Sequence, residues 1–277
     1  MIAKNYYNIN WKQAHQKLLT LQYEILKASQ AGDKNLVLKK QYELTRSFAA
    51  RAIAIRKITS NKGKNTAGID SITLTTHTQK MEHILKLKNL KNYKTSPVRR
   101  IYISKEDGKS KRPLGIPTML DRAVQTLFLF AIEPIVEEVT CKRSYGFRVG
   151  KSLYDCSSYL FLTLASMTAT RRFILKADIN KFFDSVSHDW LLDNVWMDRR
   201  ILELFLKAGF LELNVQYDTE VGFPQGSPIS PALANLALAG LENFLGKEFL
   251  STRYADDFVV LGKSRNVLKT VAIIKNK

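Results

Sequence analysis

Two adjacent aspartates, Asp256-Asp257, interrupt a run of β-forming residues from Thr252 to Leu261. Tyr254-Ala255 precede the pair and Phe258-Val259-Val260-Leu261 follow it. Side-by-side carboxylates repel, and burial would strip both of hydration. The run is therefore predicted to form a β-hairpin with the pair at its tip. Asp178 has a similar setting, at the end of a predicted strand from Phe173 to Ile179 that opens with Phe173-Ile174-Leu175. A divalent cation held between neighbouring strands would offset the cost of clustered carboxylates. Two Mg²⁺ ions about 4 Å apart that share carboxylates can activate a 3′-hydroxyl and stabilise a departing pyrophosphate, and Mg²⁺ takes hard oxygen ligands. An isolated Asp-Asp pair is read more plainly as a turn; the flanking strands favour the cation site.

Charge is distributed unevenly. The 277 residues carry a net charge of +18. Residues 1–112 hold 24 Lys/Arg against 7 Asp/Glu, and residues 113–277 hold 19 against 18. A basic end joined to a balanced remainder points to a grip for a polyanion, nucleic acid above all. An acidic membrane surface fits less well, because the basic positions do not face one apolar stripe. Hydrophobic residues make up 45% of the chain, enough for a sizeable core. Cys141 and Cys156 form no CxxC pair and are read as reduced core thiols, which fits an intracellular protein. The polar N-terminus lacks a secretory pattern, and Glu133 and Pro134 interrupt the longest apolar run, so no membrane span is expected.

Periodicity predicts helices over Trp11–Ala28, from about Leu36 to Ile58, and over 78–91. A basic, Gly-containing loop, Asn61–Ser71, lies between the second and third. Val98–Ser104 and Lys111–Ile116 read as strands joined by a turn at Asp107-Gly108. Helices are expected over Leu120–Val139 and Lys151–Met167, one or two within His188–Ala208, one from Ala232 to Leu245, and one in the last residues. The class is α+β with a small antiparallel sheet, and the boundary between basic and balanced parts falls near residues 113–120. His188 follows Ser187 at a helix start and is read as lying near a cap; the other histidines lack metal-ligand spacing.

Five ordered segments carry a family resemblance. They are Arg99-Arg100-Ile101-Tyr102-Ile103 through Lys111-Arg112-Pro113-Leu114-Gly115-Ile116-Pro117; Ser144-Tyr145-Gly146-Phe147-Arg148; Lys176-Ala177-Asp178-Ile179-Asn180-Lys181-Phe182-Phe183-Asp184; Phe223-Pro224-Gln225-Gly226-Ser227-Pro228-Ile229-Ser230-Pro231-Ala232-Leu233-Ala234-Asn235; and Tyr254-Ala255-Asp256-Asp257. In this order they resemble the fingers and palm motifs of reverse transcriptases. Thr45-Arg46-Ser47-Phe48, and Asn61 through Asp70, are similar to the N-terminal extension of group II intron reverse transcriptase/maturases.

The resemblance implies a right-hand polymerase fold: a helical extension at 1–75, fingers at 76–170 and palm at 171–277. It implies an RNA-directed DNA polymerase that uses two Mg²⁺ ions and dNTP substrates, with intron RNA and an RNA template/DNA primer as partners. Asp178, Asp256 and Asp257 would be catalytic metal ligands, with the Ile179 carbonyl as a backbone ligand. Lys105 and Arg112 would grip the triphosphate, Phe183 would exclude a ribose 2′-hydroxyl, and Gln225 would line the nucleotide pocket. Arg46, Arg51, Arg56, Lys62, Lys64, Arg99 and Arg100 are the candidates for template and intron RNA.

The chain departs from the pattern in two ways. Ser227 stands where a second glycine is commoner, and the sequence stops soon after the aspartate pair. A further palm strand with its lysine motif and a helical thumb are therefore expected to be missing. A sheet edge would then be exposed, and the thumb would be either dispensable or supplied by a second chain. The alternative is an RNA-binding maturase fragment without catalysis, or an inactive remnant. The resemblance places the protein in a bacterial cytoplasm or an organelle.

Overall fold

The computed structural model describes residues 5–104, 108–165, 170–245 and 249–266. After a short 3-10 turn (Tyr6–Asn8) come α1 (Trp11–Gln30), α2 (Lys34–Arg46), α3 (Phe48–Ser60) and α4 (His77–Lys86). Strands β1 (Val98–Ser104) and β2 (Lys111–Ile116) lead into α5 (Met119–Val139), α6 (Leu153–Ala165) and β3 (Phe173–Ala177). Next are α7 (Phe182–Ser185), α8 (His188–Asn194), α9 (Arg199–Leu206), β4 (Phe210–Glu212) and β5 (Val215–Tyr217). The described chain ends with α10 (Ser230–Ala237), α11 (Leu241–Phe244), β6 (Leu250–Tyr254) and β7 (Asp257–Gly262). The helix expected in the last residues lies outside the described residues.

Two compact units result, each made from two stretches of chain. The first combines Met1–Glu138 with Phe183–Ser230, the second Val139–Phe182 with Pro231–Lys277. They interleave along the sequence.

In the first unit, α1 buries Ala14, Leu18, Leu21, Ile25 and Ala28, the helical stripe read from the sequence. Asn10, Asp33 and Thr76 cap α1, α2 and α4, the last with a complete capping box. The single helix expected over 36–58 is two helices, because Ser47 is extended (φ −63°, ψ 130°). The physical reason lies in α3, which buries every residue from Ala50 to Ile55 and then Ile58. A helix apolar on all sides must run through the core, so it leaves the surface path of α2. The helix expected over 78–91 ends earlier, with Lys86.

The central helix of this unit, α5, contains Pro134, which can neither donate to the Phe130 carbonyl nor extend the helix without loss. Gln22 of α1 supplies the missing donor: its amide nitrogen bonds the Phe130 oxygen at 3.0 Å and the Glu133 carboxylate at 3.2 Å. Gln41 of α2 also reaches this helix, donating to the Ala131 oxygen at 3.2 Å.

The sheet of this unit has the order β2-β1-β4-β5, with β1 antiparallel to β2 and parallel to β4. The hairpin β4-β5 was not anticipated. Its strands have three residues each, and its turn uses Leu213 and Asn214 at positive φ (50° and 65°) without a glycine.

The second unit carries the three-stranded antiparallel sheet β3-β7-β6. Leu245, Phe258 and Val260 form its core, with Leu175, Ala177, Ile179 and Phe249 packed on them. Among the described residues β3 has a sheet partner on one side only, and Ile174 is 54% exposed. Cys156 is buried and Cys141 half-buried, both as free thiols. No helix among the described residues is long and apolar enough to cross a membrane.

Candidate active site

Register decides where the three aspartates go. Strand β3 pairs with β7 so that Lys176 faces Val259 and Ala177 faces Phe258. One step further, Asp178 falls level with Asp257, the first residue of β7. The hairpin forms as expected, with Tyr254 paired to Asp257 and the turn at Ala255-Asp256. All three carboxylates thus lie at one end of one sheet, with Asp178 and Asp257 exposed and Asp256 half-buried. The Ile179 carbonyl accepts a bond from the Phe182 N–H at 3.3 Å and keeps a second lone pair. Among the described residues no group of three or more His, Cys, Asp or Glu stands ready as a metal cage. The donor chemistry still fits Mg²⁺, which takes one or two carboxylates together with substrate phosphates and its own waters.

Three of these motifs contain a residue with strained backbone. Phe147, Lys181 and Ala255 all have positive φ (61°, 51° and 60°) although none is glycine. Each such residue costs about 1–2 kcal/mol, and it persists only where its surroundings over-determine it. For Ala255 the surroundings are visible. A Cβ on Gly146 would overlap the Ala255 backbone, so the Gly146 loop lies directly against the aspartate turn. That loop runs beside β6: the Tyr145 N–H bonds the Arg253 oxygen at 2.9 Å, and the Arg253 N–H bonds the Arg143 oxygen at 3.1 Å.

The residues expected to meet the nucleotide, Arg112, Phe183 and Gln225, belong to the first unit. The Gln225 carbonyl accepts from the Gly115 N–H at 2.7 Å. Gly115 and Gly226 permit this approach, since a Cβ on either would lie 2.7 Å from its neighbour, the Val98 side chain or the Gly115 oxygen. The Phe183 ring meets Phe223 edge-on at 5.3 Å, and the Phe223 N–H bonds the Phe183 oxygen at 2.8 Å. His188, buried at the start of α8, has its Nε2 2.6 Å from the Gly222 oxygen. That nitrogen must carry the proton, so the ring fixes the start of the loop. Arg112 is exposed on β2, and Lys105 lies outside the described residues. A cavity of about 270 Å³ beside Gln225 has Arg100, Asp184, Asp218 and Glu220 in its wall.

The basic candidates separate into three groups. Arg46, Arg56, Lys62 and Lys64 are exposed. The loop bearing Lys62 and Lys64 is stapled to α5 by Arg122, whose guanidinium bonds the carbonyls of Gly63 and Thr66 as well as Pro117. Arg99 and Arg100 are half-buried: Arg99 bonds the Ala67 oxygen at 2.8 Å, and the Arg100 guanidinium lies 3.3 Å from the Phe210 ring centroid. Arg51 requires a correction. It is 4% exposed and its guanidinium binds the Ile84 oxygen near the end of α4, so it is a core residue and no contact for RNA.

Sequence reasoning missed Arg253. It is buried within β6, where its guanidinium bonds Asn235 Oδ1 at 3.0 Å and the Ala255 oxygen at 3.2 Å and pairs with Glu242 at 3.4 Å. The signal was available: an arginine inside a predicted strand, three residues before the aspartate pair.

Residues 103–276 match the family model described as reverse transcriptase (RNA-dependent DNA polymerase), and residues 6–87 match the N-terminal domain of reverse transcriptase. The chain belongs to the reverse transcriptase family, among the group II intron-encoded reverse transcriptase/maturases. It is 34% identical over 238 residues to protein YkfC of Escherichia coli K12, covering 82% of this chain and 62% of that one. It is 34% identical over 200 residues to the group II intron-encoded protein LtrA of Lactococcus lactis subsp. cremoris, covering 70% of this chain and 33% of that one. A chain of a partial Cas6-RT-Cas1–Cas2 complex aligns over 81% of this chain and 38% of its own length, with 22% identity and a TM-score of 0.48.

Proposed function

We propose that this chain is the fingers and palm of an RNA-directed DNA polymerase from a group II intron-encoded protein, extending a DNA primer on an RNA template and gripping intron RNA during splicing and mobility. The observation that carries the reading is the β3-β7 register, which brings Asp178 level with Asp257 beside the Asp256 turn. Two Mg²⁺ ions, when bound, would activate the primer 3′-hydroxyl and take up charge on the leaving pyrophosphate. Asp178, Asp256, Asp257 and the Ile179 carbonyl supply their oxygen ligands. Phe183, braced by Phe223, is the wall that excludes a ribose 2′-hydroxyl. Gln225, fixed through its backbone on Gly115, lines the dNTP site, and Arg112 with Lys105 draws in the triphosphate. The exposed Arg46, Arg56, Lys62 and Lys64 are contacts for RNA, as are the half-buried Arg99 and Arg100. An intracellular site beside the intron transcript follows from this role.

The test is primer extension on an RNA template with dNTPs and Mg²⁺, comparing this chain with its Asp256→Asn/Asp257→Asn variant. Extension by the parent alone supports the reading. Equal extension by both removes the aspartates from catalysis. The stapled, exposed Lys62/Lys64 loop favours a second reading, RNA binding without catalysis. Under that reading neither protein extends the primer, and both bind RNA equally well.

A further inference from the structure

The aspartate turn is held from inside the second unit. Arg253 is 2% exposed, and its guanidinium is fixed on two sides before it reaches the turn. Glu242 of α11 supplies the counter-charge, its own side chain only 8% exposed. Asn235 of α10 accepts from the guanidinium through Oδ1, while its Nδ2 donates to the Gly146 oxygen at 3.0 Å. The same guanidinium nitrogen donates to the carbonyl of Ala255, the left-handed residue immediately before Asp256. Gly146 closes the other side, where any side chain would collide with Ala255. A buried, ion-paired arginine is an expensive way to hold a strand together, since apolar residues of similar volume often serve stability as well or better. Its geometry here is explained by what it holds.

We infer that Arg253 is the positioning residue of the Ala255-Asp256-Asp257 turn: locked by Glu242 and Asn235, it clamps the Ala255 carbonyl so that the carboxylates are presented in place before a cation arrives. The inference rests on the proposed reading of those aspartates as cation ligands. It makes Arg253 a group that acts through the backbone and touches neither substrate nor metal. Preorganised ligands lose less freedom when the ion binds, so loss of the clamp weakens cation affinity even where the fold survives.

The experiment is Mn²⁺ titration of the whole chain, followed by the electron paramagnetic resonance of free Mn²⁺, with a thermal melt of each protein. Four proteins are compared: the parent, Asp256→Asn/Asp257→Asn, Arg253→Met/Glu242→Met, and Arg253→Lys. The double methionine variant removes the ion pair as a unit, which keeps the core neutral and foldable. The lysine variant keeps the charge but lacks the forked group whose separate nitrogens reach Glu242 on one side and the Asn235 and Ala255 oxygens on the other. The expected result is aspartate-dependent Mn²⁺ binding in the parent, weakened about tenfold in both Arg253 variants, with at least one of them melting close to the parent. Aspartate-dependent binding with parent-like affinity in either Arg253 variant overturns the inference and leaves the cation site standing. Parent binding no tighter than that of Asp256→Asn/Asp257→Asn overturns the cation site, and the inference with it.

Discussion

At the scale of single residues, the buried polar groups are the most exacting parts of this molecule. Asp121 accepts bonds from the Tyr93 hydroxyl at 2.6 Å, the Thr118 hydroxyl at 2.7 Å and the Ser96 N–H at 3.3 Å. Burial raises its pKa from 3.8, and the three donors only partly oppose that. The folded state therefore holds the Asp121 proton more tightly than the unfolded chain. The stability this group contributes is full below its unfolded pKa and is lost as pH rises through the folded value. Asp121→Ala should cost about 1–3 kcal/mol by stranding the donors. In urea melts at a series of pH values above about 4, it should also flatten the decline in midpoint relative to the parent. Gly146→Ala should cost a similar amount, about 1–3 kcal/mol, because the Ala255 backbone cannot retreat from a methyl group. Its midpoint in the same melts checks this. The aspartates themselves were legible in the sequence, because flanking β-formers left a hairpin tip as the place for them. Arg51 was not legible: it sits at a position that looks solvent-facing until α3 is seen to be buried on nearly every side.

Elements show the same contrast between what local pattern reveals and what only packing decides. The amphipathic stripe of α1 announces itself through a period of 3.6, and the Asp-Asp hairpin through the β-formers on either side of the pair. The break at Ser47 and the β4-β5 hairpin carry no such signal. The first has no proline or glycine, and the second has a Leu-Asn turn and strands too short for alternation to register. Capping follows the geometry closely enough to be tested. Thr76→Ala should destabilise by about 1 kcal/mol, because it dismantles a complete capping box. Ser47→Ala should change stability by a few tenths of a kcal/mol at most, since the Ser47 hydroxyl makes no cap bond. Chemical denaturation of both measures the difference. The partnership of Gln22 with Pro134 makes a sharper case. Gln22→Leu should cost about 1–3 kcal/mol by leaving the Phe130 carbonyl buried without a donor. Pro134→Ala supplies that donor within the helix and should recover much of the loss. A double-mutant cycle by denaturation would show this as a coupling between the two positions.

For the whole molecule, the charge asymmetry in the sequence is the most direct pointer to what the exposed surface of α2, α3 and the stapled loop does. Phosphate neutralisation releases counterions, so RNA affinity should fall steeply with salt. Lys62→Ala/Lys64→Ala should lower the slope of log affinity against log salt by about 1 for each phosphate no longer neutralised, with the melting temperature unchanged. Arg51→Ala should do the reverse, lowering the melting temperature and leaving the salt slope alone. The chain spans 62% and 33% of the YkfC and LtrA lengths.

The interleaving of the two units has a consequence during synthesis. The first unit needs Phe183–Ser230, yet Met1–Glu138 leaves the ribosome first. Helix α5, with Phe128 destined for Phe205 and the Ala131 region for the Gln41–Trp196 seam, emerges long before α9 exists. At about 5–20 residues per second, its apolar surface waits several seconds for cover. A translational pause after α5 would lengthen the time for which that surface stays uncovered.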